Sequence, residues 1–116
     1  MIEVTLYHNP RCSKSRAALA LLEEQGVALT VVEYLETPLD VPGLRAVLAR
    51  LGIDARQLLR TGEPEYQALL LDDPKLDDDA LLAAIAANPR LLERPIAVRG
   101  ERAVIGRPPE RVLELL

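Results

Sequence analysis

Cys12 is the only cysteine in the chain, and it lies in the segment HNPRCSKSR, where a predicted strand is followed by a predicted helix. The first N–H groups of a helix have no partner inside it and carry partial positive charge, so they stabilise an anion such as a thiolate. The residues expected to support a thiolate here are Arg11, Ser13, Lys14, Ser15 and Arg16. We therefore expect the pKa of Cys12 to lie well below the ~8.5 of a free thiol. This basic context favours a nucleophile over an inert, buried cysteine.

A lone cysteine also limits how the sulfur can be regenerated. Ser15 stands where a dithiol redox motif would place its second cysteine, so the chain has no internal thiol to resolve an oxidised Cys12. An external thiol such as glutathione, or a glutaredoxin, would have to do so. An intramolecular disulfide and a metal site built only from cysteines are excluded, no metal is expected, and a reducing compartment fits.

His8 is the only histidine and lies four residues before Cys12, on the same predicted loop. It could pair with the thiolate or carry a proton during a reaction. A solvated loop histidine without a chemical role is the alternative. The residues alone do not separate the two interpretations.

Three arginines stand at the ends of predicted elements: Arg60, Arg94 and Arg107. A tetrahedral oxyanion is bound well by planar, permanently charged groups that donate two hydrogen bonds at once. Nearly every basic residue of this chain is an arginine, so composition alone favours a surface role for each of the three taken singly. Arg94 precedes Pro95, and an X-Pro bond is cis in about 5–6% of cases in folded proteins.

The elements that must position these residues begin with a strand–helix–strand unit. Alternating apolar residues predict a strand over residues 2–7, and a helical pattern runs from Ser13 to Gln25 with Gly26 as its C-terminal cap. A β-branched run predicts a second strand over Leu29–Leu35. Because a helix connects them, the two strands are expected to be parallel.

The middle of the chain, at about residues 40–89, predicts helices and no strand. The first has a buried face at i, i+3, i+4 and i+7 spacing and is closed by Gly52. The helices predicted after it are a short one from Asp54 through Arg60, one from Pro64 through Leu71, and one capped by Asp77 that ends at Asn88 and Pro89.

The last part of the chain predicts a hairpin of Ile96–Arg99 and Arg102–Ile105 around Gly100 and Glu101, followed by a helix from Pro108 to Leu116. The element order is therefore βαβ, a helical insert and ββα. We predict an α/β fold with a four-stranded mixed sheet covered by helices, in one domain of residues 1–116.

Composition excludes several classes of function. The 116 residues carry a net charge of −4 and include three Tyr but no Phe or Trp, so a phosphate-binding electrostatic surface and a base-stacking platform are both missing. The main like-charged cluster is acidic (Asp72, Asp73, Asp77, Asp78, Asp79) and is expected to be a solvated helix N-terminus. Nucleic acid is therefore not an expected partner.

A membrane is not an expected partner either. The longest apolar run is Ala80–Ala87, far below the ~20 residues that a membrane span needs. The N-terminal MIEVTLYHN lacks a basic segment followed by an apolar stretch, so it does not predict a secretory signal. We expect a cytoplasmic protein.

Several motifs together resemble those of the glutaredoxin-linked arsenate reductase family, a branch of the thioredoxin-like superfamily. They follow the family's order and span almost the whole chain. The motifs are YHNPRCSKSR at 7–16, EYLETP at 33–38, RQLLR at 56–60, LLERPIAV at 91–98 and IGRPPE at 105–110.

The resemblance implies a thioredoxin-like fold and a role for each candidate. Cys12 matches the nucleophile, and His8 matches the histidine thought to lower the pKa of the thiol. Arg60, Arg94 and Arg107 match the arginines that bind the oxyanion.

Other positions match the family less directly. Pro95 matches the superfamily's cis-proline, which makes the cis form expected here. Ser15 and Arg16 match the start of the first helix without an assigned role. Thr61 departs from the long polar residue that often follows Arg60 in the family, which bears on substrate affinity.

The implied activity is reduction of arsenate to arsenite through a Cys12 thiol-arsenate adduct, with glutathione as co-substrate and glutaredoxin as reductant. No bound cofactor is expected, and the chain is expected to be a monomer. Two alternatives stay open because a fold does not fix a substrate. One is a monothiol, glutathione-dependent oxidoreductase that does not act on arsenate. The other is a regulator similar to the Spx type, which binds RNA polymerase, although those proteins often carry a cysteine pair that this chain lacks.

Overall fold

In the computed structural model, which describes residues 2–116, four strands form one mixed sheet. The strands are β1 (Glu3–His8), β2 (Ala28–Glu33), β3 (Ile96–Arg99) and β4 (Arg102–Ile105). Their order is β2-β1-β3-β4, with β1 parallel to β2 and antiparallel to β3, which pairs antiparallel with β4. The predicted mixed sheet, the parallel crossover and the hairpin are confirmed.

The chain divides into two compact units. The sheet unit contains the residues up to Thr37 together with Arg94–Leu116, and the helical unit is Pro38–Glu93, close to the predicted insert. Besides the strands, the sheet unit holds helix α1 (Ser13–Glu24) and a 3₁₀ helix (Pro109–Leu115). The helical unit holds α2 (Val41–Leu51), a 3₁₀ helix (Ala55–Leu58), α3 (Pro64–Ala68), α4 (Asp78–Ala87) and a 3₁₀ helix (Pro89–Leu91). Within residues 2–116, no helix is both long enough and apolar enough to cross a membrane.

The core of the sheet unit is aliphatic and fixes where α1 starts. Alternation along β1 directs Val4 and Leu6 inward, and Ala18 and Leu22 lie four residues apart on one face of α1, where both are fully buried. Only four residues separate the end of β1 at His8 from the start of α1. The loop between them is thereby held at the carboxyl end of β1. The buried cluster comprises Val4, Leu6, Ala18, Leu22, Ala97, Val112 and Leu115.

Aspartate side chains begin two helices of the helical unit. A side-chain oxygen of Asp40 accepts the N–H of Gly43 at 2.8 Å, and one of Asp77 accepts the N–H of Ala80 at 2.8 Å. Gly52 ends α2 in the left-handed conformation, at φ 66°. All five residues of the acidic cluster are exposed around the start of α4, as predicted.

β2 ends two residues earlier than predicted. The carbonyl of Glu33 accepts the N–H groups of Glu36 and Thr37, both at 3.0 Å, so the chain turns directly after Glu33. Glu33 pairs with His8 in the sheet, and the carboxyl ends of β1 and β2 therefore coincide. Tyr34 consequently leaves the sheet at the end where the Cys12 loop begins.

The helix predicted from Asp54 through Arg60 is also shorter, a 3₁₀ helix that ends at Leu58. Beyond it the chain is extended, because the N–H of Arg60 donates to Leu91 O and the N–H of Glu93 donates to Leu58 O, both at 2.8 Å. These bonds form an isolated bridge between Leu59 and Leu92 in the segment where no strand was predicted.

The helix predicted from Pro64 through Leu71 ends at Ala68. Leu70 adopts a left-handed conformation with φ 55°, and the N–H groups of Leu70 and Leu71 donate back to Gln67 O and Tyr66 O. This is the hydrogen-bonding pattern of a Schellman C-cap, which stops the helix.

The predicted C-terminal helix is a 3₁₀ helix. Its hydrogen bonds span three residues, from the N–H of Arg111 to Pro108 O and from that of Leu116 to Leu113 O. With three residues per turn, Val112 and Leu115 lie on the same side, and both are fully buried.

Candidate active site

Cys12 occupies the N-cap of α1, with φ −94° and ψ 122°. Its N–H donates to Asn9 O at 3.0 Å, and its carbonyl accepts the N–H of Arg16 at 3.0 Å. The side chain is neither fully buried nor fully exposed. The loop thus holds the sulfur at the N-terminus of the helix while leaving it accessible.

The pKa of Cys12 lies below its usual value, as the sequence predicts. Burial of the sulfur raises the pKa, but hydrogen bonds from the Ser15 N–H, the Arg94 side chain and the Lys14 N–H, together with the positive charge of Arg94, outweigh it. The ionised form is therefore favoured.

The identity of the group that supplies the charge differs from the prediction. Arg11, Lys14 and Arg16 were expected to stabilise the thiolate because they are close in sequence. Instead, Arg16 donates to Pro10 O at 2.9 Å, while Arg11 and Lys14 are exposed. An exposed side chain is screened by water, whereas Arg94 is partly buried and contacts the sulfur.

The lowered pKa of Cys12 leads to a prediction about how its reactivity depends on pH. Because the thiolate is the reactive form, the alkylation rate of Cys12 should reach half its plateau at a pH below the ~8.5 typical of a free thiol. At pH 7 a free thiol is only about 3% ionised and reacts at about that fraction of its plateau rate. Cys12 should react at a larger fraction of its own plateau rate at this pH. The measurement is the iodoacetamide rate from pH 4 to pH 10, with glutathione as the reference thiol. A midpoint at or above that of glutathione would contradict the assignment.

His8 is the last residue of β1 and is only 5% exposed. Its Nδ1 lies 2.6 Å from Ser15 Oγ, which also accepts the N–H of Asn9 at 3.0 Å. His8, Asn9 and Ser15 form a buried polar network beneath the Cys12 loop. The interpretation of His8 as a solvated loop residue is wrong, because the end of β1 carries it into the interior.

The pKa of His8 is lowered, and burial is the main cause. The carboxylate of Glu33 opposes this shift and the guanidinium of Arg16 adds to it. A lowered pKa means that the imidazole is neutral at pH 7, so His8 does not supply positive charge to the thiolate there. Its contact with the site runs through Ser15, whose N–H also stabilises the sulfur.

Arg94 and Arg107 are adjacent in the structure. Arg107 Nε donates to the backbone carbonyl of Arg94 at 2.8 Å. The Arg94–Pro95 peptide bond is cis, the form predicted from the resemblance, and the Arg107–Pro108 bond is cis as well. The two arginines therefore form one cluster, and Arg94 links this cluster to Cys12.

Gly106 brings the two segments of this cluster together. Its N–H donates to Pro95 O at 2.8 Å, and a Cβ at this position would lie 2.8 Å from the Cγ atom of Pro95. Only glycine allows this approach without displacing the proline ring. Because Arg107 follows Gly106 directly, this close contact fixes the backbone position from which the Arg107 side chain extends.

Arg60 lies in the helical unit. Its Nε is 3.3 Å from an oxygen of Glu63, and its Nη1 is 3.0 Å from an oxygen of Glu93. These carboxylates hold the guanidinium in place within that unit. Thr61, the position that departs from the family pattern, is exposed and lines a cavity with Tyr66 and Leu70. The oxyanion-binding role of Arg60 stays a prediction.

Two features of the site were not predicted from the sequence: the burial of Tyr34 and the partners of Ser15. Tyr34 is fully buried and raises the pKa of Arg94, but its only predicted role was as part of the second strand. No sequence signal distinguishes Tyr34, because Tyr7 also lies in a predicted strand and tyrosine is common in strands. Ser15 and Asn9 carried no signal either, because polar residues around a helix N-terminus are ordinary caps.

The cluster can act as a nucleophilic site for an anion. A thiolate at a helix N-terminus supplies the electron pair, and the Arg94 guanidinium beside it can neutralise negative charge on a bound oxyanion. The pKa of Arg94 is raised: burial lowers it, but Tyr34 and Cys12 more than compensate. The guanidinium is therefore permanently charged.

Known proteins are similar to this chain in sequence and fold. The sequence profile of the ArsC family matches residues 7–115. The arsenate reductase of Neisseria meningitidis serogroup A is 51% identical over an alignment of 117 residues that covers 100% of both chains. The arsenate reductase of Haemophilus influenzae is 46% identical over 116 residues, covering 99% of this chain and 100% of that one. The solved structure of an arsenate reductase from Vibrio cholerae has a TM-score of 0.97 and 51% identity, covering 99% of this chain and 98% of its own.

Proposed function

The chain belongs to the ArsC family, and from this premise we propose that it reduces arsenate to arsenite, with Cys12 as the nucleophile and glutathione and glutaredoxin as reductants. The observation that carries the proposal is the position of Cys12 at the N-cap of α1, where the Arg94 side chain and the N–H groups of Ser15 and Lys14 lower the pKa of the thiol. Relatives named arsenate reductase, which align over the whole chain, support the choice of substrate.

In the first step arsenate docks over the N-terminus of α1, with its charge balanced by Arg94, Arg107 and backbone N–H groups. The Cys12 thiolate attacks arsenic, an S–As bond forms, and one arsenate oxygen leaves as water after taking up protons. Arg94 stabilises the negative charge of the thiolate before the reaction. During the attack its guanidinium can stabilise the negative charge on the arsenate oxygens instead.

The next steps need electrons from outside the protein, because the chain has one cysteine. Glutathione displaces a further oxygen, and glutaredoxin reduces the mixed species. Over one cycle, arsenate and two thiols become arsenite, one disulfide and water, so that arsenic gains the two electrons that the thiols lose. Arsenite leaves and Cys12 returns to the thiolate.

A coupled assay tests this proposal. Purified protein is mixed with arsenate, glutathione, glutaredoxin, glutathione reductase and NADPH, and oxidation of NADPH is followed together with the arsenite formed. We expect one NADPH consumed per arsenite and a large loss of rate when glutaredoxin or glutathione is omitted. A wild-type protein that is inert in the complete mixture would remove the proposal. Activity with thioredoxin and its reductase in place of the glutathione system would correct the reductant only.

A substitution at Arg60 distinguishes arsenate reduction from the activity of a monothiol oxidoreductase. If Arg60 binds the oxyanion, Arg60→Ala should lower kcat/KM for arsenate by about 10²-fold or more, since one such donor contributes about 10²–10³-fold to a rate. Deglutathionylation of a model mixed disulfide should change little. Arg45→Ala is the matched control, because Arg45 is an exposed arginine of the same unit, paired with Asp79. Equal effects of Arg60→Ala on both activities would contradict an arsenate-specific role.

A further inference from the structure

The guanidinium of Arg60 is bonded to two carboxylates of the helical unit. Its Nε donates to Oε1 of Glu63 at 3.3 Å, and its Nη1 donates to Oε1 of Glu93 at 3.0 Å. All three side chains are partly buried, with exposed fractions of 23% for Arg60, 13% for Glu63 and 22% for Glu93. Water and salt therefore screen these ion pairs less than they screen pairs on the surface. The chemistry described so far gives neither glutamate a role.

The backbone fixes where Glu93 stands relative to Arg60. The isolated bridge pairs Leu59 with Leu92, and Arg60 and Glu93 are the residues that follow them in sequence. The N–H of Arg60 donates to Leu91 O at 2.8 Å, so Arg60 lies opposite Leu91 and diagonal to Glu93 on antiparallel segments. Long side chains span such a diagonal. The bridge thus brings the carboxylate of Glu93 to the guanidinium.

Glu63 reaches Arg60 through a turn. Its N–H donates to Arg60 O at 3.4 Å, so the chain folds back three residues after Arg60. Glu63 is the N-cap residue of α3, but within residues 2–116 its side chain makes no capping hydrogen bond to that helix. The carboxylate instead accepts from Arg60 at Oε1 and from Arg90 at Oε2, the latter at 3.1 Å. Both of its oxygens are used to hold arginines.

We propose that Glu63 and Glu93 are positioning residues, which fix the plane of the Arg60 guanidinium so that its other N–H groups can donate to the oxyanion. A guanidinium is planar and has five N–H donors, and two bonds to different nitrogens define both its place and its plane. The two N–H groups of Nη2 lie outside these bonds. Without the carboxylates the long side chain would spread over many rotamers.

The direction of the effect distinguishes positioning from competition, because the two carboxylates also bring negative charge close to an anion-binding group. If they only competed with the oxyanion for Arg60, removing one would raise the affinity for arsenate. If they position the guanidinium, removing one lowers the affinity, because a donor that is already ordered loses less entropy on binding. The proposal rests on the proposed function for the identity of the anion, but the fixing of Arg60 needs no arsenate.

Two substitutions of Glu93 test the proposal. Glu93→Ala removes the acceptor, and kcat/KM for arsenate should fall by about 5- to 20-fold, less than the ~10²-fold expected for loss of Arg60 itself. Glu93→Gln keeps an oxygen acceptor at the same place and should recover most of that loss. Competition would instead raise kcat/KM in both variants, which would overturn the proposal. Asp79→Ala, which removes the partner of the exposed Arg45, is the matched control and should leave kcat/KM unchanged.

A double-mutant cycle shows whether Glu93 acts through Arg60. In an Arg60→Ala background, Glu93→Ala should lower kcat/KM no further, because the group that it positions is absent. Independent losses that multiply in the double variant would overturn the proposal, and so would a wild-type kcat/KM in Glu93→Ala alone. Thermal unfolding of each variant shows whether the fold is retained.

A measurement without arsenate separates this proposal from the proposed function. With ¹⁵N-labelled arginine, the Nε–H of Arg60, assigned by its loss in Arg60→Ala, should exchange with water more slowly than that of the exposed Arg45. Glu93→Ala should speed this exchange although Glu93 accepts from Nη1, because the whole guanidinium is released.

The exchange rates have outcomes that decide the matter even if Glu93→Ala does not fold. Exchange at Arg60 as fast as at Arg45 in the wild-type protein would overturn the proposal, and so would a rate that Glu93→Ala leaves unchanged. A wild-type protein that does not reduce arsenate but has a slow Nε–H at Arg60 would overturn the proposed function and leave the positioning of Arg60 standing.

Discussion

Replacing Cys12 by serine should abolish arsenate-dependent NADPH oxidation, with an expected loss of about 10³-fold or more. The variant keeps the shape of the loop but exchanges a sulfur that ionises near neutral pH for a hydroxyl that does not. Lys14 and Ser15 still present their N–H groups at the helix N-terminus, and Arg94 still supplies its charge, so arsenate binding should survive. The coupled assay measures the loss, and the protection of the protein against thermal unfolding by arsenate measures binding.

The matched control for this variant is Ala17→Ser, which changes an exposed residue one turn further along α1 and should retain the activity. Intact protein mass spectrometry after arsenate treatment should show an adduct in the wild type and none in Cys12→Ser. If the serine variant turned arsenate over within tenfold of the wild-type rate, another group would be the nucleophile.

Arg94→Ala should have the second largest effect. It removes both a hydrogen bond and a positive charge from the Cys12 sulfur, so the pKa of Cys12 should rise toward that of a free thiol. It also removes a donor from the bound oxyanion, and kcat/KM for arsenate should fall by about 10²–10³-fold. Arg94→Lys should recover part of the thiolate, because it keeps the charge, but less of the rate, because an ammonium lacks the planar pair of donors.

Arg11→Ala is the informative comparison. Arg11 is one residue from Cys12 in sequence but exposed, and its backbone N–H, which the substitution leaves intact, donates to Asn9 Oδ1 at 3.0 Å. The alkylation profile should therefore stay within about 0.2 pH units of the wild type, since exposed charges are strongly screened. A larger shift in Arg11→Ala than in Arg94→Ala would mean that the charge comes from the loop itself.

Elements with strong local patterns could be predicted from the sequence. The two strands of the hairpin and α1 have the predicted extent to within one residue, because alternation, β-branching and a capping glycine all indicate the same boundaries. Boundaries that depend on hydrogen bonds to residues far along the chain could not be predicted. The segment after Leu58 is extended only because Leu91 and Glu93 supply hydrogen bonds from more than thirty residues away.

In the site, too, local features could be predicted from the sequence and features that depend on distant residues could not. The position of Cys12 at a helix N-terminus is a local property and was predicted, as was the direction in which its pKa is lowered. That Arg94 supplies the charge depends on β3 lying beside β1, which no local pattern contains. His8 looked like a loop residue because its burial depends on the pairing of β1 with its neighbours on both sides.

The segments that surround the sulfur are far apart along the chain, and this separation has a consequence during synthesis. A ribosome that has made only the first half of the protein has already made Cys12, but Arg94 and Arg107 have yet to be added. Until the last quarter of the polypeptide has emerged, that sulfur has the ordinary reactivity of a cysteine in an open peptide. The environment that lowers the pKa of Cys12 is therefore complete only after Arg94 has been added and the chain has folded.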